Sequence, residues 1–104
     1  MVIELNKNNF DKEVFKSNGI TLVDFWSPWC GFCQKQLPIV NELNENLEGK
    51  IKVGTVNLDE SPEIAKTYNI ASIPTFILFK DGKIKNKLIG FQTKSQLLKE
   101  IDKL

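Results

Sequence analysis

The sequence predicts an α/β fold in which a central mixed sheet of five strands is flanked by four helices, a three-layer α/β/α sandwich. The first observation is that strand-like and helix-like segments alternate along most of the chain, and such βαβ units form parallel pairs with helices on both faces of a sheet. The second is Asp81-Gly82 between two strand-like segments, a hairpin signal that adds an antiparallel edge. Because 104 residues is the length of one domain, we assign residues 1–104 to a single domain.

The first three elements are two strands separated by a helix. Val2–Leu5 is apolar and short enough for an edge strand. Asn8 or Asn9 can cap a helix that carries Phe10, Val14 and Phe15 on one side, since asparagine is a preferred N-cap residue. The run Ser17-Asn18-Gly19 ends this helix. Ile20–Trp26 is rich in β-branched and aromatic residues and nearly continuous in apolarity, which predicts a strand covered on both faces.

The middle of the chain continues this alternation. Apolar residues at helical spacing over residues 37–47 predict a long helix that ends at Gly49. Pro38 should kink this helix, because proline lacks the N–H of a helical hydrogen bond. Ile51–Leu58 has the composition of a strand, and Pro62–Tyr68 predicts a short helix because proline is favoured at the first helical position.

The last third of the chain contains the hairpin and a final helix. Thr75–Phe79 and Lys83–Ile89 are its two strands, which we expect to be antiparallel neighbours. Thr93 and Gln96 have the spacing of a capping box, and an amphipathic apolar pattern follows them.

Charge and composition exclude several classes of function. Fourteen Lys and Arg side chains nearly balance thirteen Asp and Glu, so no overall field attracts nucleic acid or an anionic membrane. No stretch approaches the roughly 18 consecutive apolar residues of a transmembrane helix, and the first ten residues lack a secretory pattern. We therefore expect a monomeric cytoplasmic protein that binds neither nucleic acid nor membrane.

The absence of histidine restricts the chemistry further. There can be no Cys-His or Ser-His nucleophile pair and no imidazole metal ligand. The two cysteines, Cys30 and Cys33, supply only half of the four ligands that a structural zinc site usually needs. We therefore expect no metal in a single chain.

Three kinds of site use a pair such as Cys30 and Cys33: half of a zinc site shared by two copies, a local structural disulfide, and a redox dithiol. The pair lies where a buried strand ends and a helix begins, where active groups lie in open α/β sheets. If Cys30 is the N-cap, unpaired backbone N–H groups favour its thiolate. A disulfide across so short a loop adds only about 2 kcal/mol of stability. These arguments favour a redox dithiol.

Longer motifs around this pair resemble the thioredoxin family, and the resemblance covers essentially the whole chain. The matching residues are Asp24-Phe25-Trp26-Ser27-Pro28-Trp29-Cys30-Gly31-Phe32-Cys33, Pro38, Ile73-Pro74-Thr75, Asp81-Gly82 and Gly90. The resemblance implies a dithiol–disulfide oxidoreductase that reduces disulfides in target proteins and is recycled by a thioredoxin reductase. It implies no cofactor other than the redox-active disulfide between the two cysteines.

Thiol–disulfide exchange assigns roles to three residues. The Cys30 thiolate attacks a target disulfide, and Cys33 then resolves the mixed disulfide. Asp24 interrupts the apolar strand Ile20–Trp26, where burial should raise the pKa of its carboxyl. The matching family position implies that Asp24 exchanges a proton with the resolving cysteine.

The resemblance also implies a docking surface for an extended segment of the target. It implies a cis bond between Ile73 and Pro74, with the backbone of Ile73 pairing with the target and Gly90 leaving room for it. Trp29, next to the nucleophile, is expected to contact the target. Phe91 stands where the family usually has a small residue, so we expect it to alter partner choice.

Gly31 and Phe32 separate the cysteines and are expected to tune their reduction potential. The family commonly has proline where this chain has Phe32, and proline lacks the N–H that can donate to an N-cap side chain. We therefore expect the N–H group of Phe32, as well as that of Cys33, to donate a hydrogen bond to the Cys30 thiolate. Thr55 stands where the family often has a lysine near the buried aspartate, which removes one means of tuning Asp24.

Two other functions stay open. A disulfide-forming or isomerising enzyme has the same kind of motif, since the residues between the cysteines set the redox poise. The missing secretory pattern and the missing histidine in the motif argue against it. A binding module that uses the fold as a scaffold is the other, and it would show no cysteine-dependent turnover.

Overall fold

The structure is a computed structural model that describes residues 2–104, so residue 1 of the predicted domain lies outside the described residues. Its elements, in chain order, are β1 (Ile3–Leu5), a single π-helical turn (Asp11–Phe15), β2 (Ile20–Trp26), α1 (Gly31–Asn46), β3 (Ile51–Asn57), α2 (Pro62–Thr67), β4 (Thr75–Lys80), β5 (Lys83–Ile89) and α3 (Lys94–Asp102). The predicted mixed five-stranded sheet with four helices is confirmed. Among residues 2–104, no helix has the length and apolarity needed to cross a membrane.

The strand order in the sheet is β1-β3-β2-β4-β5, which places β2 at its centre. β3 runs parallel to both β1 and β2, as the βαβ pattern predicts. β4 runs antiparallel to β2, however, and pairs on its other side with β5 in the predicted hairpin. The βαβ interpretation is therefore wrong for the β3–α2–β4 segment.

The short α2 agrees with this reversal. Its six residues span about 9 Å, whereas the seven residues of β3 span about 23 Å. The helix alone is too short to carry the chain back along the sheet. β4 accordingly starts where β2 ends, with Thr75 opposite Phe25.

Apolar side chains cover the two faces of the sheet in two separate clusters. One cluster contains Val23 and Phe25 of β2, together with Val14 of the π-helical turn. The other contains Leu22 of β2 and the α1 residue Val40. Because side chains alternate between the faces of a strand, Asp24 shares the face of Leu22, which α1 covers.

The segment before the π-helical turn differs from the prediction. Neither Asn8 nor Asn9 caps that turn with its side chain, and Phe10 occupies the N-cap position. Instead the Asn6 side chain accepts hydrogen bonds from the backbone N–H groups of Asn8 and Asn9, at 2.8 and 3.3 Å. Asparagine thus makes a local turn here, an alternative that its short polar side chain always offers the backbone.

The hairpin turn packs against the π-helical turn. Asp81 and Gly82 have φ of 52° and 79°, the left-handed backbone that this kind of two-residue hairpin turn requires. A Cβ at Gly82 would collide with the carbonyl oxygen of Phe15. Glycine is therefore required here for both conformation and space.

Replacing Gly82 with alanine should destabilise the protein more than the same change at Gly49. Both glycines are left-handed, at φ of 79° and 84°, but a Cβ at Gly49 meets open space. The left-handed strain costs about 1–2 kcal/mol at either position, and overpacking against Phe15 adds about 1–3 kcal/mol at position 82 alone. Urea denaturation of Gly82→Ala and Gly49→Ala measures the difference, and equal losses would show that the turn moves aside freely.

Candidate active site

The two cysteines lie at the beginning of α1 and are joined by a disulfide, with their Cα atoms 5.2 Å apart. Cys30 is the N-cap residue, with extended backbone at φ −91° and ψ 116°. Its Sγ accepts a hydrogen bond from the backbone N–H of Cys33 at 3.2 Å. The predicted position of Cys30 at the helix N-terminus is confirmed.

In the disulfide form, Cys30 Sγ accepts one of the two backbone hydrogen bonds expected for its thiolate, and the bond from Phe32 to the thiolate stays a prediction. Cys33 N–H is the backbone group that donates to Cys30 Sγ, and Phe32 N–H does not. An N-cap side chain commonly accepts a hydrogen bond from the backbone N–H two or three residues further on. Here the donor is the N–H of Cys33, three residues further on. The Phe32 side chain is 62% exposed, with Lys35 Nζ 5.8 Å from its ring centroid. Gly31 is also exposed.

Only one of the two sulfur-bearing residues reaches the surface. Cys30 retains 8% of its accessible surface, whereas Cys33 retains none. Cys33 lies on the buried face of α1, with Gln36, Val40 and Leu43 at the following helical positions. A disulfide in another protein can therefore approach Cys30 but not Cys33.

The loop before β4 lies against the disulfide, and the loop after β5 is hydrogen-bonded to that loop. The bond between Ile73 and Pro74 is cis, as the sequence resemblance implied. The Ile73 carbonyl oxygen lies 3.9 Å from Cys30 Sγ. Gly90 N–H donates to the Pro74 carbonyl oxygen at 2.8 Å, which ties the second loop to the first. Residues far apart in sequence are thus brought together around Cys30.

Large apolar side chains are exposed on the segments next to the dithiol. Trp29 is 74% exposed and Phe91 is 37% exposed. The Trp29 indole N–H donates to Asp59 Oδ1 at 3.2 Å, so the ring is held although it is exposed. Ile89, just before Gly90, is 65% exposed.

The sequence analysis missed Asp59, Ile89 and Gln36. Asp59 follows the end of β3, and the ends of neighbouring parallel strands share an edge of the sheet, so its position was a usable signal. Gln36 occupies an apolar position of α1 and is fully buried. The signal for Gln36 was a single amide side chain at a position of the helical pattern that faces the core.

Asp24 is fully buried and makes no hydrogen bond through either carboxylate oxygen. It lies opposite Thr55 on β3 and Phe76 on β4, so neither residue directly opposite it is a cation. Burial raises the pKa of Asp24 from its ordinary value of 3.8 to about 7. A carboxyl with this pKa can gain or lose a proton near neutral pH.

Two other buried polar atoms near the end of β2 also lack a partner. They are the indole nitrogen of Trp26 and the hydroxyl oxygen of Ser27. Buried polar atoms are normally paired, so an unpaired set is unusual.

In residues 2–104, no three side chains of the metal-ligating types are grouped as a metal ion requires.

The geometry is that of a disulfide at a helix N-terminus, with the carbonyl oxygen of the residue before a cis-proline 3.9 Å from the sulfur of Cys30. Comparison with known proteins agrees with it. The family model for thioredoxin matches residues 1–103. The chain belongs to the thioredoxin family.

Similarity to curated members extends over nearly the whole chain. A thioredoxin of Rickettsia felis is 46% identical over 103 residues, covering 99% of this chain and 98% of that protein. A chloroplastic M-type thioredoxin of Triticum aestivum is 45% identical over 98% of this chain and 58% of its own length. Thioredoxin 1 of a Nostoc species is 42% identical over 96% of this chain and 94% of its own.

Family membership and the cysteine pair together define the activity. The protein is a dithiol–disulfide oxidoreductase whose redox-active group is the Cys30–Cys33 pair. It reduces disulfides in target proteins and is recycled by a reductase, as the family implies.

Replacing Asp24 with asparagine should change how stability depends on pH. Because the folded-state pKa is raised, the unfolded chain loses its proton first, so the protein loses stability as pH rises from about 4 to about 7. At about 1.4 kcal/mol per pKa unit, the full loss is about 4 kcal/mol. We expect the stability of Asp24→Asn relative to the parent to increase by about that amount between pH 4 and pH 8.

Urea denaturation at a series of pH values measures this difference. Asp102→Asn, at an exposed position of α3, removes the same charge without a burial penalty and should follow the parent curve. If the curve of Asp24→Asn also ran parallel to the parent, the burial of an unpaired carboxylate would not be the source of the shift.

Proposed function

We propose that Cys30 is the nucleophile and Cys33 the resolving residue in the reduction of protein disulfides. The observation that carries this assignment is the unequal exposure of the pair, with Cys30 reaching the surface and Cys33 fully buried. The position of Cys30 at the helix N-terminus adds to it, since the positive end of the helix dipole favours a thiolate.

The reaction balances with the two cysteines alone. The Cys30 thiolate attacks one sulfur of the target disulfide, a mixed disulfide forms, and the other target sulfur leaves as a thiolate that takes up a proton. The Cys33 thiolate then attacks Cys30 Sγ, which forms the Cys30–Cys33 disulfide and releases the second target thiolate. Two electrons pass to the target, and no cofactor enters this scheme.

Asp24 is proposed as the group that accepts the proton of Cys33 in the second step. Cys33 is buried, so bulk water cannot easily take its proton. Asp24 lies on the face of the sheet that α1 covers, and its pKa of about 7 suits proton exchange near neutral pH. Its lack of a fixed hydrogen bond leaves both oxygens free to receive a proton.

Docking of the target is proposed to use the two loops beside the dithiol. An extended segment of the target would pair with the backbone of Ile73, next to Pro74, as a strand pairs with a sheet edge. Gly90 adjoins Pro74 and carries no side chain that would block the approach. Trp29 and Phe91 supply exposed apolar surface for side chains of the target.

The setting of the reaction is also a proposal. We propose that the protein acts as a monomer in the cytoplasm, that a thioredoxin reductase recharges it, and that it binds neither nucleic acid nor membrane. The near balance of 14 basic and 13 acidic side chains supports the last point.

Serine variants of the two cysteines test the assignment. With insulin as the disulfide substrate, Cys33→Ser should accumulate a mixed disulfide through Cys30, because the resolving thiol is missing. Cys30→Ser should accumulate none and should lose essentially all turnover. Non-reducing electrophoresis with mass spectrometry detects the adduct. Trapping by Cys30→Ser alone would reverse the roles, and turnover that persists in Cys30→Ser would show that the reduction of insulin does not depend on Cys30.

Asp24→Asn should slow the second step without slowing the first. A positioned general base accelerates a reaction by about 100-fold or more, and water can replace part of this effect. We therefore expect the rate of the second step, the resolution of the mixed disulfide, to fall at least about 10-fold. In the parent, the resolution rate should rise with pH up to about 7, as Asp24 becomes ionised, and this rise should be absent in the variant.

Stopped-flow measurement of a preformed mixed disulfide isolates the second step. Asp102→Asn serves as the charge-matched control at an exposed site. An unchanged resolution rate and pH profile in Asp24→Asn would remove Asp24 from the mechanism and leave it a structural residue.

A further inference from the structure

We propose that Gln36 is a positioning residue that holds the loop after β5 in place for the docking of protein substrates. The inference rests on the function proposed above and extends it to a residue that does not touch the dithiol. Its side chain connects the helix that begins at Cys30 to the loop that carries Phe91.

The observation is a reciprocal pair of hydrogen bonds between one side chain and the backbone of one distant residue. Gln36 Nε2 donates to the Gln92 carbonyl oxygen at 2.8 Å, and Gln92 N–H donates to Gln36 Oε1 at 2.8 Å. Gln36 is fully buried, so water does not compete for its amide. The side chain satisfies the backbone of Gln92 as the neighbouring strand of a sheet would.

A second anchor lies on the other side of Phe91. Gly90 N–H donates to the Pro74 carbonyl oxygen at 2.8 Å. The Gln92 side chain folds back, and its Nε2 donates to the Gly90 carbonyl oxygen at 3.2 Å. Phe91 is therefore held between two anchored residues, one tied to the cis-proline and the other to α1.

These anchors connect the docking surface to the dithiol through rigid elements. Gln36 lies on the same buried face of α1 as Cys33, three residues further along. The position of the loop relative to the sulfurs is thus defined through α1, although Gln36 itself does not touch either sulfur. We call the two hydrogen bonds between Gln36 and Gln92 the clamp. Without the clamp, the backbone N–H and carbonyl groups of Gln92 would have to bond to water, and Phe91 would sample several positions.

The consequence is selective for large substrates. A protein disulfide must dock on Phe91 and the backbone beside Pro74 before its sulfur reaches Cys30. A small aromatic disulfide reaches the sulfur without that surface. We therefore expect Gln36 to govern the KM for proteins while leaving the intrinsic reactivity of the dithiol unchanged.

The test compares two substrates in Gln36→Met, which keeps the length of the side chain but removes both hydrogen bonds. With insulin, kcat/KM should fall about 10-fold, mainly through KM. With 5,5′-dithiobis(2-nitrobenzoic acid), the rate should stay within about twofold of the parent, and so should the equilibrium constant against glutathione. Asn44→Leu is the control, since it removes another buried amide from the same helix about two turns further along.

The outcomes separate this inference from the proposed function. Equal losses for both substrates in Gln36→Met, or no loss for either, would overturn the positioning role. An equal KM effect in Asn44→Leu would show a general effect of α1 instead, and would overturn it too. Failure of the parent protein to reduce insulin would overturn the proposed function itself.

Hydrogen exchange in the parent protein keeps the inference testable if Gln36→Met does not fold. The Gln92 amide should exchange at least roughly 100-fold more slowly than an unprotected amide, because its acceptor is a buried side chain. Exchange of the Gln92 amide at the unprotected rate would show that the clamp is open in solution, and the inference would fail.

Discussion

The central strand β2 is the constraint on which the rest of the structure depends. It is hydrogen-bonded along both sides, to β3 and to β4, and its residues 21–25 are all buried. A strand in this position cannot shift by one residue without exchanging its two faces. Its end therefore fixes where Cys30 begins α1, and its pleat fixes the face on which Asp24 lies. The sulfur pair and the carboxyl both take their places from this one strand.

Much of this arrangement is local in origin, and local signals predict it. The apolarity of Ile20–Trp26, the Asp81-Gly82 turn and the Thr93–Gln96 capping box each depend on neighbouring residues, and all three appear as expected. The N-cap position of Cys30 belongs to the same group. Such features are decided by backbone propensities over a few residues, which the sequence displays directly.

The features that the sequence did not predict depend on contacts between distant residues. The direction of β4 is that of its antiparallel pairing with β2, a strand far away in the sequence. The Asn6 side chain bonds to the backbone of Asn8 and Asn9 where a helix cap was expected, and such local contacts compete with capping. The partnership of Gln36 with Gln92 spans 56 residues, and no local pattern pairs these two amides.

Asp24 differs from a buried carboxyl that has a cation beside it. Its pKa is raised by burial alone, with Thr55 opposite it rather than a cation. The ionisation of Asp24 is therefore governed by how much water reaches the end of β2. Trp26 and Ser27, whose buried polar atoms also lack partners, lie next to it along the chain. Hydration of this small region would affect all three groups together.

Lysines at alternate positions of β5 affect whether the edge of the sheet can pair with a strand of another molecule. β5 forms one border of the sheet, and Lys83, Lys85 and Lys87 are exposed along it. Two copies that met border to border would bring these like charges together, which opposes sheet extension and aggregation. The exposed border of the sheet is thereby kept from serving as a template for the strand of another chain.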